Sequence, residues 1–194
     1  VSDLMTGIVQ LALKLAPYAV PLMIYGVIVK VGLDILIALG VFALGCLAVM
    51  LLHLFGTMSL WLRLWTDRKP LAFFRDIRGV LVTAFSTSSS NATLPAALEC
   101  SKDTLGLKPS VAGFVLPLGT TMNMSGTALY EGCVVLFVAQ VFGVHLGLGE
   151  QITLVCLAVL SAAAVAAIPG GSLPLIAGLL VAFGIPPEGI GIIL

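Results

Sequence analysis

Two polar segments interrupt otherwise apolar sequence in this chain, and they constrain its fold more than any other feature. The first is STSSSNATLPAALEC at 86–100, and the second is TTMNMSGTALYEG at 120–132. In lipid, irregular backbone is tolerated only where it is buried in protein or lines a cavity, because unpaired peptide groups are costly there. Polar side chains at membrane depth are also rare and mark functional sites. The two segments therefore predict where a solute or an ion would sit.

The composition is that of an integral membrane protein. Of the 194 residues, 60% are hydrophobic and 9% are charged, and the mean hydropathy is +1.19. A soluble domain of this length could not bury so much apolar surface. The formal net charge is +0, and no basic patch is interleaved with aromatic residues, which argues against a nucleic-acid partner. Residues 1–10 lack a basic region and a cleavage site, so we expect the chain to be part of a longer protein.

The cysteines and histidines do not have the spacing of a metal site. The four cysteines lie far apart with no CxxC pair: Cys46, Cys100, Cys133 and Cys156. We interpret them as reduced, small apolar residues that pack between helices, rather than as a disulfide or a metal site. His53 and His145 are also isolated, and neither has a second ligand at zinc-site spacing. No organic cofactor is expected.

Apolar runs and basic residues predict the membrane topology. Residues 11–31 form one candidate span and residues 35–62 form a second. Seven of the nine basic residues flank two connections, five of them between 63 and 78 and the others at Lys102 and Lys108. The positive-inside rule places both connections in the cytoplasm.

The first polar segment predicts a re-entrant hairpin. From Gly79 the chain is apolar for only a short run before the serines, and again for only a few residues after Thr93. Neither half reaches the roughly 20 residues that a spanning helix needs, and basic residues flank both ends. We therefore expect a helical hairpin that enters from the cytoplasm, with its tip SSSN at 88–91 near mid-membrane.

Residues 151–187 predict a second hairpin. They contain no Asp, Glu, Lys, Arg or His. One straight helix of that length would be roughly 55 Å long, against a bilayer core of about 30 Å. The sequence IPGGSLP at 168–174 supplies the break. The preceding loop, 143–150, has no Lys or Arg, so we expect entry from the extracellular side. Two hairpins that enter from opposite faces are what an inverted repeat produces.

Three segments in this order and spacing resemble one known family: TAFSTSSSNATLP, LPLGTTMNMSGTALYEG and IPGGSLPLIAGLLVAFGIPPEGI. The chain is similar, over nearly its whole length, to the dicarboxylate/amino acid:cation symporters, which include the glutamate and neutral amino acid transporters. The resemblance implies an all-α integral membrane fold. It also implies a glutamate-transporter-like inverted repeat, with two re-entrant helical hairpins and a discontinuous helix between them.

The resemblance also implies a division into two domains. Residues 1–33 would form a scaffold-type membrane helix and residues 34–194 a transport domain. The parts of the transport domain would be a membrane helix at 35–65, hairpin one at 70–106, a discontinuous helix at 109–143, hairpin two at 148–185 and the start of a final helix at 186–194.

The function implied is sodium-coupled symport of an amino acid or dicarboxylate by an elevator mechanism, without enzymatic activity. The protein would be a homotrimer in the cell (inner) membrane, crossing the lipid bilayer several times. A truncated or degenerate, non-transporting membrane protein of the same fold is the alternative.

The resemblance assigns roles to individual residues. Sodium is a hard cation that takes oxygen ligands, and an unwound helix frees carbonyls to supply them. The sodium-site residues implied are Gly119, Thr121 and Asn123. The substrate-binding residues implied are Ser88, Ser89, Ser90 and Thr127, with Ile168, Pro169, Gly170, Gly171 and Ser172 closing over the substrate as an extracellular gate. The N–H groups at the start of a half-helix would attract a substrate carboxylate.

Each of these roles has a simpler structural alternative. Serines in membrane helices often bond the carbonyl of the preceding turn. Asn123 could form a hydrogen bond between helices. The segment at 168–174 could be a plain loop.

Glu131 follows Thr127 by about one helical turn, inside apolar sequence. An uncompensated carboxylate is costly there, so it should be paired or protonated. Its position matches the acidic residue that takes up the proton in proton-coupled glutamate-transporter members. A structural ion pair is the competing interpretation.

The chain departs from the family pattern at Ser125 and at Asn91. Many members have an acidic residue where this chain has Ser125, and the serine removes a charge that would serve one sodium site. Asn91 replaces the small residue common at the end of the serine run. The basic residue that some prokaryotic members have at the position of Ser88 is also missing. The sequence therefore leaves acidic amino acids, neutral amino acids and dicarboxylates open as substrates.

One further class is an intramembrane hydrolase. Ser125 would be its nucleophile, with His53 or His145 as the base. Neither histidine has a local motif that supports this role.

Overall fold

The computed structural model describes residues 21–22, 25, 34–165 and 170–193. All regular structure within that part is helical, in agreement with the all-α class expected from the sequence. The expected scaffold-type helix at 1–33 lies outside the described residues, except for positions 21, 22 and 25. Ile168 and Pro169 of the second expected tip also lie outside them.

The first long helical run spans 34–65 and changes geometry once. It consists of α1 (Asp34–Leu52), a π-helical turn (His53–Thr57) and α2 (Met58–Trp65). Its segment Ile37–Trp65 is long and apolar enough to cross a membrane, and only 6% of its most apolar window is buried. The core helix of a soluble protein would instead be covered by neighbours. Lipid is the natural surrounding for this surface.

A pair of packed helices follows after a short connection. The helix α3 (Pro70–Asp76) leads into α4 (Arg78–Thr87), and α5 (Ser90–Asp103) packs back against α4. The Cys100 thiol contacts the backbone carbonyl of Asp76 at 3.7 Å, so the open ends of the pair lie together. The α4–α5 pair is therefore a closed helical hairpin, with its turn at Ser88 and Ser89.

A second long apolar run covers Pro109–Val141. It consists of α6 (Pro109–Met122) and α7 (Ser125–Val141), with the two residues Asn123 and Met124 between them. The backbone of these two residues is not helical: φ and ψ are −120° and 68° at Asn123, and −105° and 56° at Met124. The sequence predicts its discontinuous helix in this stretch.

The remaining helices pack around α7. The helix α8 (Leu148–Ala162) begins where the Glu150 carboxylate accepts a hydrogen bond from the Gly147 N–H at 2.7 Å, as acidic side chains do near helix N-termini. It is followed by α9 (Leu173–Ala182) and a 3₁₀ helix (Pro187–Ile192). Both α8 and α9 contact α7.

The core lies on α7 and the faces that cover it. Its buried side chains are Val134, Val135, Val138, Ala139, Leu154, Ile176, Leu179, Leu180 and Ile185. The 3₁₀ helix approaches α7 so closely that a Cβ atom added at Gly189 would collide with Val138 and would lie 3.1 Å from Phe142. Only glycine fits there, and the close contact fixes the 3₁₀ helix against the core.

The helices α1 and α7 are antiparallel and meet along a row of contacts that we call the α1–α7 seam. Three side-chain pairs follow one another along it: Phe42 with Phe137, Cys46 with Cys133, and His53 with Ser125. The two phenyl rings stack with centroids 4.4 Å apart, the two thiols lie close together, and the imidazole Nε2 lies 2.9 Å from the hydroxyl Oγ. The seam ends at the helix break, where α7 begins.

Candidate solute and ion site at the helix break

The turn of the α4–α5 hairpin is held in an uncommon backbone conformation. Ser88 has φ of 48°, which makes it a non-glycine residue in the left-handed region, and such residues cluster at functional sites. Ser89 caps α5, because its side chain accepts a hydrogen bond from the Ala92 N–H at 3.3 Å. The serine run therefore ends one helix and begins the next.

Two threonine side chains form hydrogen bonds with the backbone at this turn. The Thr93 hydroxyl donates to the carbonyl of Ser89 at 2.8 Å, and the Thr87 hydroxyl donates to the carbonyl of Thr83 at 2.8 Å. The two hydroxyl oxygens lie 3.4 Å apart. Thr93 is buried, with 7% of its surface exposed. The tip is thus internally hydrogen-bonded, which favours one rigid conformation.

A cavity of about 420 Å³ joins this tip to the end of α6. The polar and glycine residues that line it are Ser88, Ser89, Ser90 and Thr93 from the hairpin, and Gly119, Thr120 and Asn123 from α6 and the break. The structure therefore brings all three predicted substrate-binding serines together with two of the three predicted sodium-site residues.

The end of α6 supplies backbone oxygens, since the last carbonyls of a helix have no partner within it. The Gly119 carbonyl accepts one hydrogen bond from the Asn123 N–H at 3.1 Å, and a second lone pair remains on that oxygen. The Thr121 hydroxyl donates to the carbonyl of Leu118 at 3.0 Å. In the described part of the chain, Thr121 and Thr127 do not line this cavity, and they do not line a second cavity of about 450 Å³ on the other side of the break.

The second cavity, of about 450 Å³, lies between the π-helical turn, α7 and α8. Its polar residues are His53, Asn123 and Ser125, and most of its other lining is apolar. Asn123 lines both cavities, so the break separates them. π-Helical turns often occur at functional sites, and the one at His53 faces the break.

The hydrolase interpretation considered His53 or His145 as the base for Ser125, and the structure joins His53 to Ser125 by a hydrogen bond. This brings together the serine and one of the two bases considered for a hydrolase. The sequence signal was His53 itself, which is the one basic side chain in the apolar span 35–62. Ionisable residues inside membrane spans are costly and mark functional sites. The sequence left open whether His53 or His145 lies beside Ser125, because the serine is on another helix.

Glu131 is completely buried on α7, with 0% of its surface exposed. Its Oε2 atom forms a hydrogen bond with the Ser161 hydroxyl on α8. Its Oε1 atom has no hydrogen-bond partner among the described residues. Within that part of the chain, the contact made by the carboxyl group is a neutral hydroxyl and not the basic side chain of an ion pair.

The break between α8 and α9 is partly described. Gly170 has φ of 73°, a left-handed conformation that favours glycine, and its carbonyl accepts a hydrogen bond from the Leu173 N–H at 3.2 Å. Gly171 and Ser172 complete the turn into α9. In the described part of the chain these three residues line neither cavity, so the structure does not bring them to the serines of the first tip.

The sequence model of one family, described as "Sodium:dicarboxylate symporter family", matches residues 1–194. The chain belongs to this family. The match confirms the resemblance carried by the serine run, the helix break and the IPGG segment.

Known relatives of this family member include bacterial and animal proteins. The "Proton/sodium-glutamate symport protein" of Bacillus subtilis (strain 168) is 35% identical over 196 residues, covering 100% of this chain and 44% of the relative. The "Excitatory amino acid transporter" of Caenorhabditis elegans is 33% identical over 180 residues, covering 92% of this chain and 36% of the relative. The "Excitatory amino acid transporter 4" of Rattus norvegicus is 38% identical over 156 residues, covering 80% of this chain and 28% of the relative.

Two statements follow for this symporter-family chain. The chain spans less than half the length of these relatives. The family and the relatives are transporters by description rather than enzymes, which argues against the hydrolase interpretation of Ser125 and His53. Membership also makes the chain part of a membrane protein, in agreement with the two long apolar helices found among the described residues.

Proposed function

We propose that the full-length protein is a sodium-coupled symporter for an amino acid or a dicarboxylate. The observation that carries this proposal is the cavity of about 420 Å³ in which the hairpin tip meets the helix break. Serine and threonine residues, the last turn of α6 and Asn123 line it within a largely apolar protein. Hydroxyl, carbonyl and amide oxygens are the groups that a small polar solute and a hard cation require.

The first tip would hold a carboxylate of the substrate. The helix α5 starts at Ser90, and the N–H groups of its first turn have no partner within the helix. They carry partial positive charge, which favours an anion. Ser88, Ser89 and Ser90 would add hydroxyl hydrogen bonds. Thr127 would contact the substrate from α7, and a movement of the second hairpin would bring the segment 168–172 over it.

Sodium would bind at the break. Gly119, Thr121 and Asn123 would supply oxygen ligands, and Gly119 and Asn123 already line the cavity. Ser125 provides a neutral oxygen where many family members have a carboxylate. We expect fewer sodium ions to bind per cycle than in members that keep the acidic residue, because a neutral ligand attracts a cation less strongly.

A proton would be carried by Glu131. Its complete burial makes the ionised form costly unless it is compensated, and its described partner is a neutral hydroxyl. The B. subtilis relative is named a proton/sodium symporter. Protonation of Glu131 would therefore accompany loading, and its loss would accompany release.

The proposed architecture has two re-entrant hairpins related by an inverted repeat, in a homotrimer of the inner membrane with an elevator movement. The closed α4–α5 hairpin supports the first re-entrant element. The basic residues that flank it support a cytoplasmic entrance.

Uptake in liposomes tests the proposal. The complete protein would be given radiolabelled acidic amino acids, neutral amino acids and dicarboxylates, each with a gradient of sodium or of choline. We expect accumulation of one class only with sodium. Asn123→Ala should weaken sodium activation about tenfold, because it removes an oxygen ligand worth at least 1.4 kcal/mol.

Ser59→Ala is the matched control, since Ser59 lies on α2, away from both cavities, and it should leave the activation unchanged. Equal uptake in sodium and choline would overturn sodium coupling. Correct insertion without uptake of any of the three classes would favour the non-transporting alternative.

A further inference from the structure

The Ser161 hydroxyl lies between two acceptors, and it has one hydrogen to give. Its Oγ atom forms hydrogen bonds with Oε2 of Glu131 and with the backbone carbonyl of Ala158, the latter at 3.1 Å. A hydroxyl can donate to one of these groups and accept from another. The position of its hydrogen must therefore depend on whether the carboxyl group is ionised.

The two protonation states give two arrangements of hydrogens. When Glu131 is ionised, Ser161 must donate to the carboxylate, and it is released from Ala158. When Glu131 is protonated, the carboxylic acid can donate to Ser161, which then donates to the Ala158 carbonyl. Both arrangements use the same oxygen atoms. Hydrogen bonds to an ionised acceptor are roughly twice as strong as neutral ones, so Ser161 stabilises the ionised form more than the protonated form.

Ser161 also occupies a position where this change could be transmitted. It is the second-last residue of α8, and its backbone carbonyl accepts a hydrogen bond from the Ala164 N–H at 2.8 Å in the turn that follows. The chain then runs toward the glycine turn at Gly170 and Gly171. A change in the hydrogen bonds of Ser161 therefore acts on the end of the helix that leads to the second expected tip.

We propose that Ser161 is a positioning residue that couples the protonation of Glu131 to the first arm of the second hairpin. This inference rests on the proposed role of Glu131 in proton coupling. Ser161 sets the pH at which Glu131 exchanges its proton, and it transmits the change in protonation to α8.

The described elements packed against this pair carry few other titratable groups. Cys46 on α1 and Cys133 and Tyr130 on α7 interact with one another, whereas the side chain that interacts with Glu131 among the described residues is Ser161. The helix α9 carries no titratable side chain, and Cys156 on α8 is exposed. None of these groups forms a hydrogen bond with Oε2 of Glu131, so loss of the Ser161 hydroxyl should change the proton affinity of Glu131 directly.

The test is a pH series of net uptake and of substrate exchange in liposomes, with the complete protein. Ser161→Ala removes the hydroxyl, and the ionised carboxylate then loses its donor. We expect the midpoint of the pH profile to move to higher pH by about one unit. A charge-assisted hydrogen bond is worth about 1.5 kcal/mol, so its loss should raise the proton affinity of Glu131 about tenfold. Ser161→Thr keeps the hydroxyl and should restore the original midpoint.

Ser161→Cys adds a graded readout, because a thiol is a weaker donor, and its midpoint should lie between those of the Ala variant and the unmodified protein. A merely structural role for Ser161 would change the rate at every pH without moving the midpoint. That outcome, in the Ala and Cys variants, would overturn the inference.

Glu131→Gln separates this inference from the proposed function. The Gln variant should have a flat pH profile, and adding Ser161→Ala to it should produce no further shift. A Gln variant with an unaltered profile would remove proton coupling through Glu131, and the inference with it. A flat Gln profile together with an unmoved midpoint in Ser161→Ala would reject only the role of Ser161.

Discussion

The hydrogen bond between His53 and Ser125 fastens the first turn of α7 to the π-helical turn of the preceding membrane run. Its length is 2.9 Å, and it lies beside Asn123, which lines both cavities. Either group can donate, depending on the tautomer of the imidazole. The bond therefore fixes the position at which the chain resumes its helix after the break.

A double-mutant cycle on this pair should show strong coupling. His53→Ala and Ser125→Ala should each destabilise the protein by about 0.5–1.5 kcal/mol, because each removes the same partly buried hydrogen bond. The double variant should cost no more than the worse single variant. The free energy of unfolding in detergent micelles is the measurement.

His145→Ala is the control for this cycle, since His145 is exposed in the loop before α8, and surface substitutions usually change stability by less than about 0.5 kcal/mol. If the effects of His53→Ala and Ser125→Ala on the free energy of unfolding were strictly additive, the hydrogen bond would contribute nothing to stability. Labelling of Ser125 by a fluorophosphonate would instead revive the hydrolase interpretation.

At the scale of helices, local sequence predicts the breaks and long-range packing decides what faces them. The serine run at 88–90 predicts a turn because each flank is too short to span a bilayer, and the structure has its turn at Ser88 and Ser89. The polar segment at 120–132 contains the interruption, and the structure narrows it to Asn123 and Met124. Pattern alone could find both, since helix ends follow from nearby residues.

The partners of buried polar groups could not be predicted in the same way. Glu131 was expected to be paired or protonated, but Ser161 is thirty positions away on another helix. The α1–α7 seam likewise depends on the register between two distant segments. A helical pattern shows which face of a helix is apolar, and leaves open which helix covers it. The roles of the predicted site residues stay predictions for the same reason.

The seam predicts that its two thiols can be cross-linked. Cys46 and Cys133 are free thiols that lie close together in the seam. Treatment with copper phenanthroline should therefore remove two protons and two electrons and form an intramolecular disulfide, with copper and oxygen as the electron acceptors. The readout is a loss of about 2 Da in the intact mass, together with protection of both thiols from maleimide.

Cys46→Ser should abolish this loss of mass, whereas Cys100→Ser, on the first hairpin, should leave it intact. Reaction of Cys46 and Cys133 with maleimide at the same rate before and after oxidation would contradict the antiparallel register of α1 and α7.

At the scale of the whole molecule, a hydrogen bond joins the two basic connections. The Arg68 side chain donates through Nη2 to the backbone carbonyl of Leu105 at 3.0 Å. Arg68 lies between α2 and α3, and Leu105 follows α5. The connection before the first hairpin and the one after it therefore lie at the same end of the structure. Lys102 and Lys108 flank the second connection, so most basic residues gather at this end.

This arrangement predicts which side of the membrane each hairpin enters. Basic residues collect on the cytoplasmic side, so the open end of the α4–α5 hairpin should face the cytoplasm. The loop before α8 has no Lys or Arg, so it should face outward.

In a background without the four native cysteines, Lys102→Cys should react with a membrane-impermeant maleimide only in inside-out vesicles, and Gly149→Cys only in intact cells. Both positions are exposed, so a failure to react would reflect the side of the membrane and not burial. Labelling of Lys102→Cys from outside would place the first hairpin on the wrong face and remove the basis for an inverted repeat, since both hairpins would then enter from the same side.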